Sequence, residues 1–305
     1  MVSNSFRPTL AYSLKPRDLP TLPWWHCSAS YKYDGIRALV IDGTVLSRQL
    51  IPLPNRCLQK MFRHLEGLDG EIMLEKSFQV PMDHYTIQSA VRKQEGEHPF
   101  IFCVFDSFDR PEDSWISRQR YLHQRLDLKA TEGARIVDQE TLSCLDHLQK
   151  FEDRALQRGM EGVVVRRHGQ EYKYGRSTLY SGGLLRLKRE DTFEGLIVGM
   201  EEAQANLNEA QEDAFGLIKR SSHQENKVGK GMVGAFLVLY KGKTHRVSAG
   251  ALTHAQRTEL WQNREKYLGD TLVAHLTAKH FAYGAKDDLR HARAVSIRFD
   301  LKERP

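Results

Sequence analysis

The final third of the sequence carries short apolar runs whose number and spacing predict a small β-barrel. Each run has the length of one strand, and the five runs cover residues 193–200, 233–240, 244–249, 272–281 and 293–300. One helical pattern, at 253–267, interrupts them. Five short strands with one helix are typical of the small barrels that bind oligonucleotides. We therefore expect this region to form a five-stranded barrel of that type.

Residues 201–231, between the first two of these runs, have a different composition. They are rich in Glu, Gln, Asn and Gly and contain few large apolar side chains. A segment of this kind buries too little apolar surface to fold on its own. The sequence predicts a long mobile loop here, which carries the cations Lys219, Arg220, Lys227 and Lys230.

The first 189 residues mix strand and helix patterns, which predicts an α+β domain. Strand-like runs occur at 31–41, 44–48, 71–74, 100–105 and 162–166, and Asp42-Gly43 is typical of a tight hairpin turn. Helical periodicity covers 114–128 and 145–158, and Gly159 follows the second helix as a left-handed cap. We place a domain boundary near Arg189, which gives domains 1–189 and 190–305.

The composition is that of a soluble, basic globular protein of about two domains. Of 305 residues, 40% are hydrophobic and 28% are charged, which excludes a largely disordered chain. The longest clearly apolar stretch, 232–240, is about half the length that a membrane-spanning helix needs. Residues 1–20 lack the apolar core of a secretory signal. We expect a cytoplasmic protein, in the host cytoplasm if it is viral, with no membrane partner.

Cysteine usage excludes an evident metal or redox motif. The chain has four cysteines, which lie far apart and form no CxxC pair: Cys27, Cys57, Cys103 and Cys144. We expect reduced, partly buried thiols.

Positive charge is concentrated before the predicted barrel. The chain has a net charge of +6, and residues 166–189 contain seven Lys and Arg against one acid, Glu171. A solvated face usually mixes the two signs more evenly. This stretch is therefore typical of a surface that meets phosphates.

The motif Lys-Tyr-Asp-Gly-Ile-Arg at residues 32–37 is the most specific chemical signal in the chain. Its alternative interpretation is an exposed lysine beside a glycine turn. A lysine amine becomes a nucleophile only when it is neutral, and burial or neighbouring cations lower the cost of losing its proton. Lys32 is therefore a candidate nucleophile.

Further groups that suit nucleotide chemistry follow in order along the chain. Asp69-Gly70-Glu71 puts a carboxylate on a strand, and Phe102 and Phe105 offer aromatic faces to a base. Glu161 begins another strand with a second carboxylate. In Leu185-Arg186-Leu187-Lys188 the alternation places both cations on one side of a strand.

These motifs, in this order, resemble the covalent nucleotidyltransferases, and among them the short, phage-like ATP-dependent DNA ligases. The resemblance extends from about Phe6 to Asp300. It implies an ATP-grasp-like nucleotidyltransferase domain of antiparallel sheets with flanking helices, followed by an OB-fold barrel. It also implies an enzyme that uses ATP and Mg²⁺ (or Mn²⁺) to seal 5′-phosphate/3′-hydroxyl nicks in duplex DNA, acting as a monomer through lysyl-AMP and DNA-adenylate intermediates.

The resemblance assigns a role to each matching residue. The catalytic residues would be Lys32, which attacks the α-phosphorus of ATP, Lys188, and Arg298, which orients the pyrophosphate. The residues around ATP would be Tyr31, Lys32, Arg37, Glu71, Phe102, Arg186 and Lys188. The residues on DNA phosphates would be Arg37, Arg48, Lys173 and Arg176, and the metal would lie at Glu161 and Glu71.

Some assignments stay open in the sequence. Phe102 is preferred over Phe105 as the adenine-stacking ring, and Arg298 over Arg293 for the leaving group. Relatives carry lysine where this chain has Arg186, so phosphate contact is preserved there and proton transfer is not. The cationic loop 201–231 either orders against the DNA backbone around the nick or is an insertion without a role.

Three other functions compete with a DNA ligase. An RNA ligase or an mRNA-capping guanylyltransferase would share the nucleotidyltransferase motifs, and the capping enzyme would load GMP onto Lys32. A non-catalytic protein that binds nucleic acid through the barrel and the basic stretch would not need Lys32 at all.

Overall fold

The computed structural model describes residues 6–78, 84–127, 133–188, 190–212, 218–221, 223–268, 272–281 and 289–301. The chain divides into two compact units: the first consists mainly of residues 1–188 and the second mainly of residues 189–305, with Glu212 grouped with the first. The predicted boundary residue, Arg189, lies outside the described residues. Within the described part of the chain, no helix has the length and apolar character to cross a membrane.

The first unit alternates strands and helices. In chain order its elements are β1 (Tyr12–Leu14), β2 (Cys27–Tyr31), β3 (Ile36–Ile41), β4 (Thr44–Ser47), α1 (Arg56–Phe62), β5 (Leu68–Leu74), α2 (His84–Arg92), β6 (Phe100–Ser107), α3 (Trp115–Asp127), β7 (Ala134–Ile136), β8 (Glu140–Leu142), α4 (Leu145–Gln157), β9 (Val163–Arg167) and β10 (Leu185–Leu187). Two short 3₁₀ helices, Pro16–Thr21 and Glu75–Phe78, are added to these.

Two five-stranded sheets organise this unit, as the predicted α+β class requires. One has the order β1-β10-β9-β2-β8 and the other the order β4-β3-β5-β6-β7. Most strand pairs are antiparallel, while β1 with β10 and β6 with β7 are parallel. Side chains of α1, α2 and α3 pack on the second sheet, and α4 packs on the first.

The helix α4 shows how the sequence pattern sets this packing. Leu148, Phe151 and Ala155 are buried and recur at helical spacing, so one face of α4 covers the first sheet. Gly159 then has a φ of +69°, a left-handed conformation that suits glycine after a helix. The predicted α3 also forms, although its expected last residue, Leu128, lies outside the described residues.

The predicted strand 31–41 is wrong at its centre, because the chain changes sheets there. β2 ends at Tyr31 in the first sheet and β3 starts at Ile36 in the second. Gly35 lies in the connection, where a Cβ atom would come within 2.3 Å of the Ile72 carbonyl oxygen. Lys32 therefore lies in a link between two sheets instead of within a strand.

The second unit is a closed barrel with strand order β11-β14-β15-β17-β16. Its elements are β11 (Glu190–Asn206), β12 (Ala210–Glu212), β13 (Ile218–Arg220), β14 (Lys227–Tyr240), β15 (Lys243–Ser248), α5 (His254–Gln262), α6 (Arg264–Leu268), β16 (Leu272–Phe281) and β17 (Arg290–Leu301). The predicted helix 253–267 is split at Asn263, the C-cap of α5. The interior is lined by alternate apolar side chains such as Phe193, Val238 and Leu276.

The predicted loop 201–231 is mostly strand, which corrects the sequence interpretation. β11 continues to Asn206 and pairs with the start of β14, with Gln204 opposite Gly229 and Asn206 opposite Lys227. β12 and β13 pair with each other. An antiparallel ribbon is held by backbone hydrogen bonds, so it forms without the apolar side chains whose absence suggested a loop. Residues 213–217 and 222 of this segment lie outside the described residues.

Candidate active site

A cavity of about 520 Å³ lies in the first unit, within the size range of nucleotide-sized ligand sites. Both sheets of that unit supply its walls. Ser30 and Val164 come from the first sheet, while Glu71 and Phe105 come from the second.

The cavity is strongly cationic. Its lining contains Lys32 and six arginines: Arg7, Arg37, Arg48, Arg166, Arg176 and Arg186. Glu71 is the one acid among the described residues that line it. A concave site with this excess of positive charge favours a ligand with several negative charges, such as a polyphosphate.

Lys32 lies at the wall of this cavity beside an acid. Its Nζ forms an ion pair with Glu161, whose other carboxylate oxygen pairs with Nζ of Lys188. Nζ of Lys32 also donates to the Tyr33 carbonyl oxygen at 3.3 Å. The three charged side chains are largely buried, with exposed fractions of 21%, 11% and 17%. One carboxylate therefore bridges two amines at the edge of the cavity.

The register of the first sheet explains this arrangement. Tyr31 at the end of β2 pairs with Val163 at the start of β9, which pairs with Leu187 at the end of β10. Lys32 and Lys188 are the next residues after β2 and β10. Because β9 is antiparallel to both, the carboxylate just before β9 comes to the same edge. Lys32, Glu161 and Lys188, which are distant in sequence, therefore lie side by side at one edge of the first sheet.

Gly162 allows the start of β9 to approach the end of β10 closely. Its φ is +151°, and an added Cβ would come within 2.2 Å of the Leu187 carbonyl oxygen. Its own carbonyl accepts a hydrogen bond from the Lys32 backbone N–H at 2.9 Å. A larger residue here would push β9 away from its neighbours.

Arg37 is held by a buried acid. Its Nε and Nη2 donate to the two carboxylate oxygens of Asp69 at 2.9 and 2.6 Å, and Nη1 donates to the Thr9 carbonyl oxygen at 2.5 Å. The Tyr172 hydroxyl donates to Asp69 at 2.9 Å. Burial raises the pKa of Tyr172, and the nearby Asp69 carboxylate raises it further. Arg37 thus reaches the cavity wall with the orientation of its guanidinium group fixed by the bidentate ion pair with Asp69.

A second buried acid holds Arg166. Asp106 is fully buried and accepts from Arg166 Nη1 at 2.6 Å and from Arg118 Nε at 2.8 Å. Burial lowers the pKa of Arg166, whereas the carboxylate of Asp106 opposes that shift. Arg166, like Arg37, therefore reaches the cavity wall with its orientation set from behind.

Phe105 lies against both of these guanidinium groups. The Cζ atoms of Arg37 and Arg166 are 5.5 and 5.3 Å from the centre of its ring, within the range of a cation–π contact. Phe105 is the extra residue of a bulge between β5 and β6, since Gly70 pairs with Val104 and Asp69 with Asp106. The bulge turns this ring towards the cavity.

Glu71 combines burial with positive neighbours. It lies opposite Arg37 on β3 and opposite Cys103 on β6. Burial raises the pKa of Glu71 to about 7, although Lys32 and Arg37 oppose the shift. Close to neutral pH this carboxyl therefore exchanges readily between its protonated and ionised forms.

The family of the chain follows from its sequence match. The model of the ATP-dependent DNA ligase domain matches residues 10–188, which include every cavity-lining residue named above except Arg7. The chain belongs to this family. It is an ATP-dependent DNA ligase. No curated protein sequence gives a significant match to it.

Solved structures agree with this assignment over almost the whole ligase. The Chlorella virus DNA ligase-adenylate is 25% identical, with a TM-score of 0.54, and the match covers 96% of this chain and 98% of that chain. A Lig E DNA ligase is 19% identical, with a TM-score of 0.65 and coverage of 96% and 99%. The second likeness shows a shared fold, and the nucleotidyltransferase and OB-fold architecture is confirmed.

Most of the sequence-predicted site residues of the ligase lie together. The cavity is lined by Tyr31, Lys32, Arg37, Arg48, Glu71, Arg176 and Arg186. Glu161 and Lys188 join them through the ion pairs with Lys32. Lys173 is not among the lining residues, and its carbonyl oxygen accepts from the Thr9 hydroxyl at 2.6 Å.

The choice of Phe102 as the base-stacking ring is wrong, because this side chain is fully buried. It packs in the core of the second sheet, with its ring centre 5.6 Å from that of Phe62. Phe105, the alternative in the sequence, lines the cavity instead. Simple alternation along β6 does not show which ring faces outward, because the bulge at Phe105 interrupts it.

Arg298 lies on the barrel of the second unit. Its guanidinium donates to Asp300 at 2.9 Å and to Glu194 at 3.1 Å, and His275 lies 3.4 Å from the same Glu194 carboxylate. The alternative, Arg293, forms an ion pair with Glu190. Both candidate arginines therefore have acidic partners on the barrel.

Sequence reasoning missed the acids behind the cavity. The sequence motifs give no role to Asp69 or Asp106, and Arg166 is only one of the seven basic residues of 166–189. Their partners are distant in sequence: Asp69 pairs with Arg37 and Asp106 with Arg166. The one local signal is that each acid lies in a strand made mostly of apolar residues, where a buried charge needs a partner.

Among the described residues, no group of three or more His, Cys, Asp or Glu side chains could hold a metal ion. This is compatible with Mg²⁺, which proteins usually bind through one or two carboxylates together with substrate phosphates. Glu161 and Glu71 supply such carboxylates, one beside Lys32 and one in the cavity wall.

Proposed function

We propose that this ligase seals nicks between 5′-phosphate and 3′-hydroxyl ends in duplex DNA, with Lys32 as the nucleophile. The observation that carries the proposal is the position of Lys32: its amine lies beside a carboxylate at the wall of a cationic cavity that also presents an aromatic ring. The reaction then comprises three displacements at phosphorus, in which positioning and charge neutralisation do most of the catalytic work.

In the first displacement, Nζ of Lys32 attacks the α-phosphorus of ATP. A phosphorus–nitrogen bond forms, the bond to the bridging oxygen breaks, and pyrophosphate leaves. Phe105 is the ring on which the adenine stacks, and Glu71 accepts a hydrogen bond from a ribose hydroxyl. Arg186 and Lys188 neutralise charge on the phosphates.

Glu161 has a direct part in activating Lys32. An amine attacks only as the neutral base, so the proton of Lys32 must leave before attack. The bridging carboxylate accepts a hydrogen bond from that amine and, unlike the neutral Tyr33 carbonyl oxygen, is a base that can take the proton. Lys188, on the other oxygen of the same carboxylate, keeps the charge of Glu161 balanced.

The later displacements use the arginines at the cavity wall. The DNA 5′-phosphate displaces Lys32 from AMP, and the 3′-hydroxyl then displaces AMP to form the phosphodiester. Arg48 and Arg176 are exposed and line the cavity, which suits contact with the DNA 5′-phosphate. Lys173 contacts the DNA backbone outside the cavity.

The roles that the sequence assigns to Arg37 and Arg298 have to be reconsidered, because both guanidinium groups have partners within the protein. Arg37 has all its guanidinium nitrogens in hydrogen bonds within the protein, so we assign it to holding Phe105 instead of to DNA. Arg298 can orient pyrophosphate only when its guanidinium exchanges Glu194 and Asp300 for phosphate oxygens.

Mg²⁺ fits the carboxylates of this site. Glu161 and Glu71 would hold it together with phosphate oxygens, and the ion would neutralise charge that develops during phosphoryl transfer.

Sealing of a labelled nicked duplex in the presence of ATP and Mg²⁺ tests the proposal. The wild-type protein should convert the nicked strand to full length, and Lys32→Arg should not, because arginine keeps its charge and is not a nucleophile. Sealing by Lys32→Arg at the wild-type rate would refute the proposed role of this lysine. Labelling with GTP instead of ATP would indicate a capping guanylyltransferase, and joining of RNA ends alone would indicate an RNA ligase.

A further inference from the structure

The segment of residues 7–14 forms one border of the cavity. Leu10 N–H donates to the Gly175 carbonyl oxygen at 2.7 Å, and the Leu10 carbonyl oxygen accepts from Ser177 N–H at 2.8 Å. Further along, β1 pairs in parallel with β10, with Ser13 opposite Arg186. The segment thus joins two stretches of the basic region that have no strand pairing with each other among the described residues.

Three cavity arginines from three different parts of the fold donate hydrogen bonds to this segment, at every second residue. Arg37 Nη1 donates to the Thr9 carbonyl oxygen at 2.5 Å, and Arg176 Nη1 donates to the Ala11 carbonyl oxygen at 3.2 Å. Arg186 Nε donates to the Ser13 hydroxyl at 2.8 Å. These acceptors belong to residues two apart in the chain, so one short segment holds all three arginine side chains.

Such contacts matter because a guanidinium recognises phosphate through a planar fork. The strength of phosphate binding depends on the orientation of the guanidinium plane, and an arginine side chain without partners samples many rotamers. Asp69 compensates the charge of Arg37, but Arg176 and Arg186 on the same wall repel each other, which drives them apart unless acceptors hold them. Neutral carbonyl and hydroxyl oxygens satisfy N–H groups without cancelling the charge that a phosphate ligand needs.

We propose that segment 7–14 positions two phosphate-binding arginines, Arg176 and Arg186, and that Ser13 is the positioning residue for Arg186. This inference rests on the proposed function of Arg186 as a contact to ATP phosphates. Ser13 itself does not line the cavity, so it acts only through its arginine.

The test is a double-mutant cycle on lysyl-adenylate formation, measured at several ATP concentrations in single turnover. Ser13→Ala should raise the half-saturating ATP concentration about threefold and leave the maximal rate unchanged, as expected for one solvent-exposed hydrogen bond to a charged group. Ser13→Thr, which keeps the hydroxyl, should restore the wild-type value. Ser13→Ala should have no further effect in an Arg186→Ala background.

A matched control is Ser143→Ala, which removes another exposed serine of the same unit that bonds to His147 and not to a cavity arginine. It should leave ATP dependence unchanged. An unchanged ATP dependence in Ser13→Ala or Arg186→Ala, or the same loss from Ser13→Ala with and without Arg186, would overturn the inference. A failure of the proposed function would give a different result: the Lys32→Arg variant would still form a lysyl-adenylate, whatever the ATP dependence of the Ser13 variants.

Discussion

Asp106 offers a direct test of the buried charges behind the cavity. Its carboxylate is fully buried and pairs with Arg118 and Arg166, whose side chains are 2% and 4% exposed. Asp106→Ala removes the shared partner and leaves two buried guanidinium groups that no longer face an opposite charge there.

The expected loss of stability is large. Removing one partner of a buried ion pair costs about 3–5 kcal/mol, because the remaining charge is left uncompensated. For a unit of this size, 1 kcal/mol lowers the melting temperature by about 2–4 °C. The unfolding transition of the first unit should therefore fall by about 10 °C. Glu140→Ala is the matched control, since Glu140 and Arg154 are 50% and 46% exposed and such surface pairs contribute less than about 1 kcal/mol.

Differential scanning calorimetry of the full chain measures both variants. A shift for Asp106→Ala that is as small as that for Glu140→Ala would show that Arg118 and Arg166 do not depend on this carboxylate. The reasoning about the cavity wall would then be wrong.

Three further changes test other parts of the structure. Phe105→Leu should raise the ATP concentration needed for lysyl-adenylate formation about tenfold, through the loss of about 1–1.5 kcal/mol of aromatic contact, while Phe102→Leu should lower the melting temperature and leave ATP dependence unchanged. Glu71 has a pKa raised from 4.5 to about 7, so its contribution to stability is present in acid and is lost as the pH rises from 4.5 through 7. Urea unfolding at pH 5 and pH 8 should therefore show that wild-type protein loses about 2 kcal/mol relative to Glu71→Gln over this interval; an equal response of the two proteins would contradict the shift. Deletion of residues 205–227, the outer part of the β11–β14 ribbon, should weaken binding to nicked duplex and reduce its dependence on salt, because phosphate contacts release counterions. Unchanged nick affinity and salt dependence would show that the ribbon does not contact DNA.

The parts of the fold that the sequence predicted are those with local signals. The barrel strands alternate apolar and polar side chains, and the first hairpin carries Asp42-Gly43 at its turn, where both residues have positive φ. The order of motifs around Lys32, Glu161 and Lys188 was also readable, and strand register brings these residues together.

The parts that the sequence did not predict depend on contacts between distant segments. The ribbon of β11 and β14 forms from backbone pairing between segments about 25 residues apart, and its side chains do not reveal that pairing. The bulge that turns Phe105 outward arises from the pairing of β5 with β6. The contacts of Thr9 with Arg37 and of Ser13 with Arg186 join residues that share no local pattern.

Mass spectrometry of the protein after incubation with ATP and Mg²⁺ tests the central claim most directly. If Lys32 is the nucleophile, peptide mapping should find a single adenylate adduct, on the peptide that contains Lys32, and a nicked duplex should remove it. A protein that stays unmodified, or that carries the adenylate on another side chain, would contradict the account.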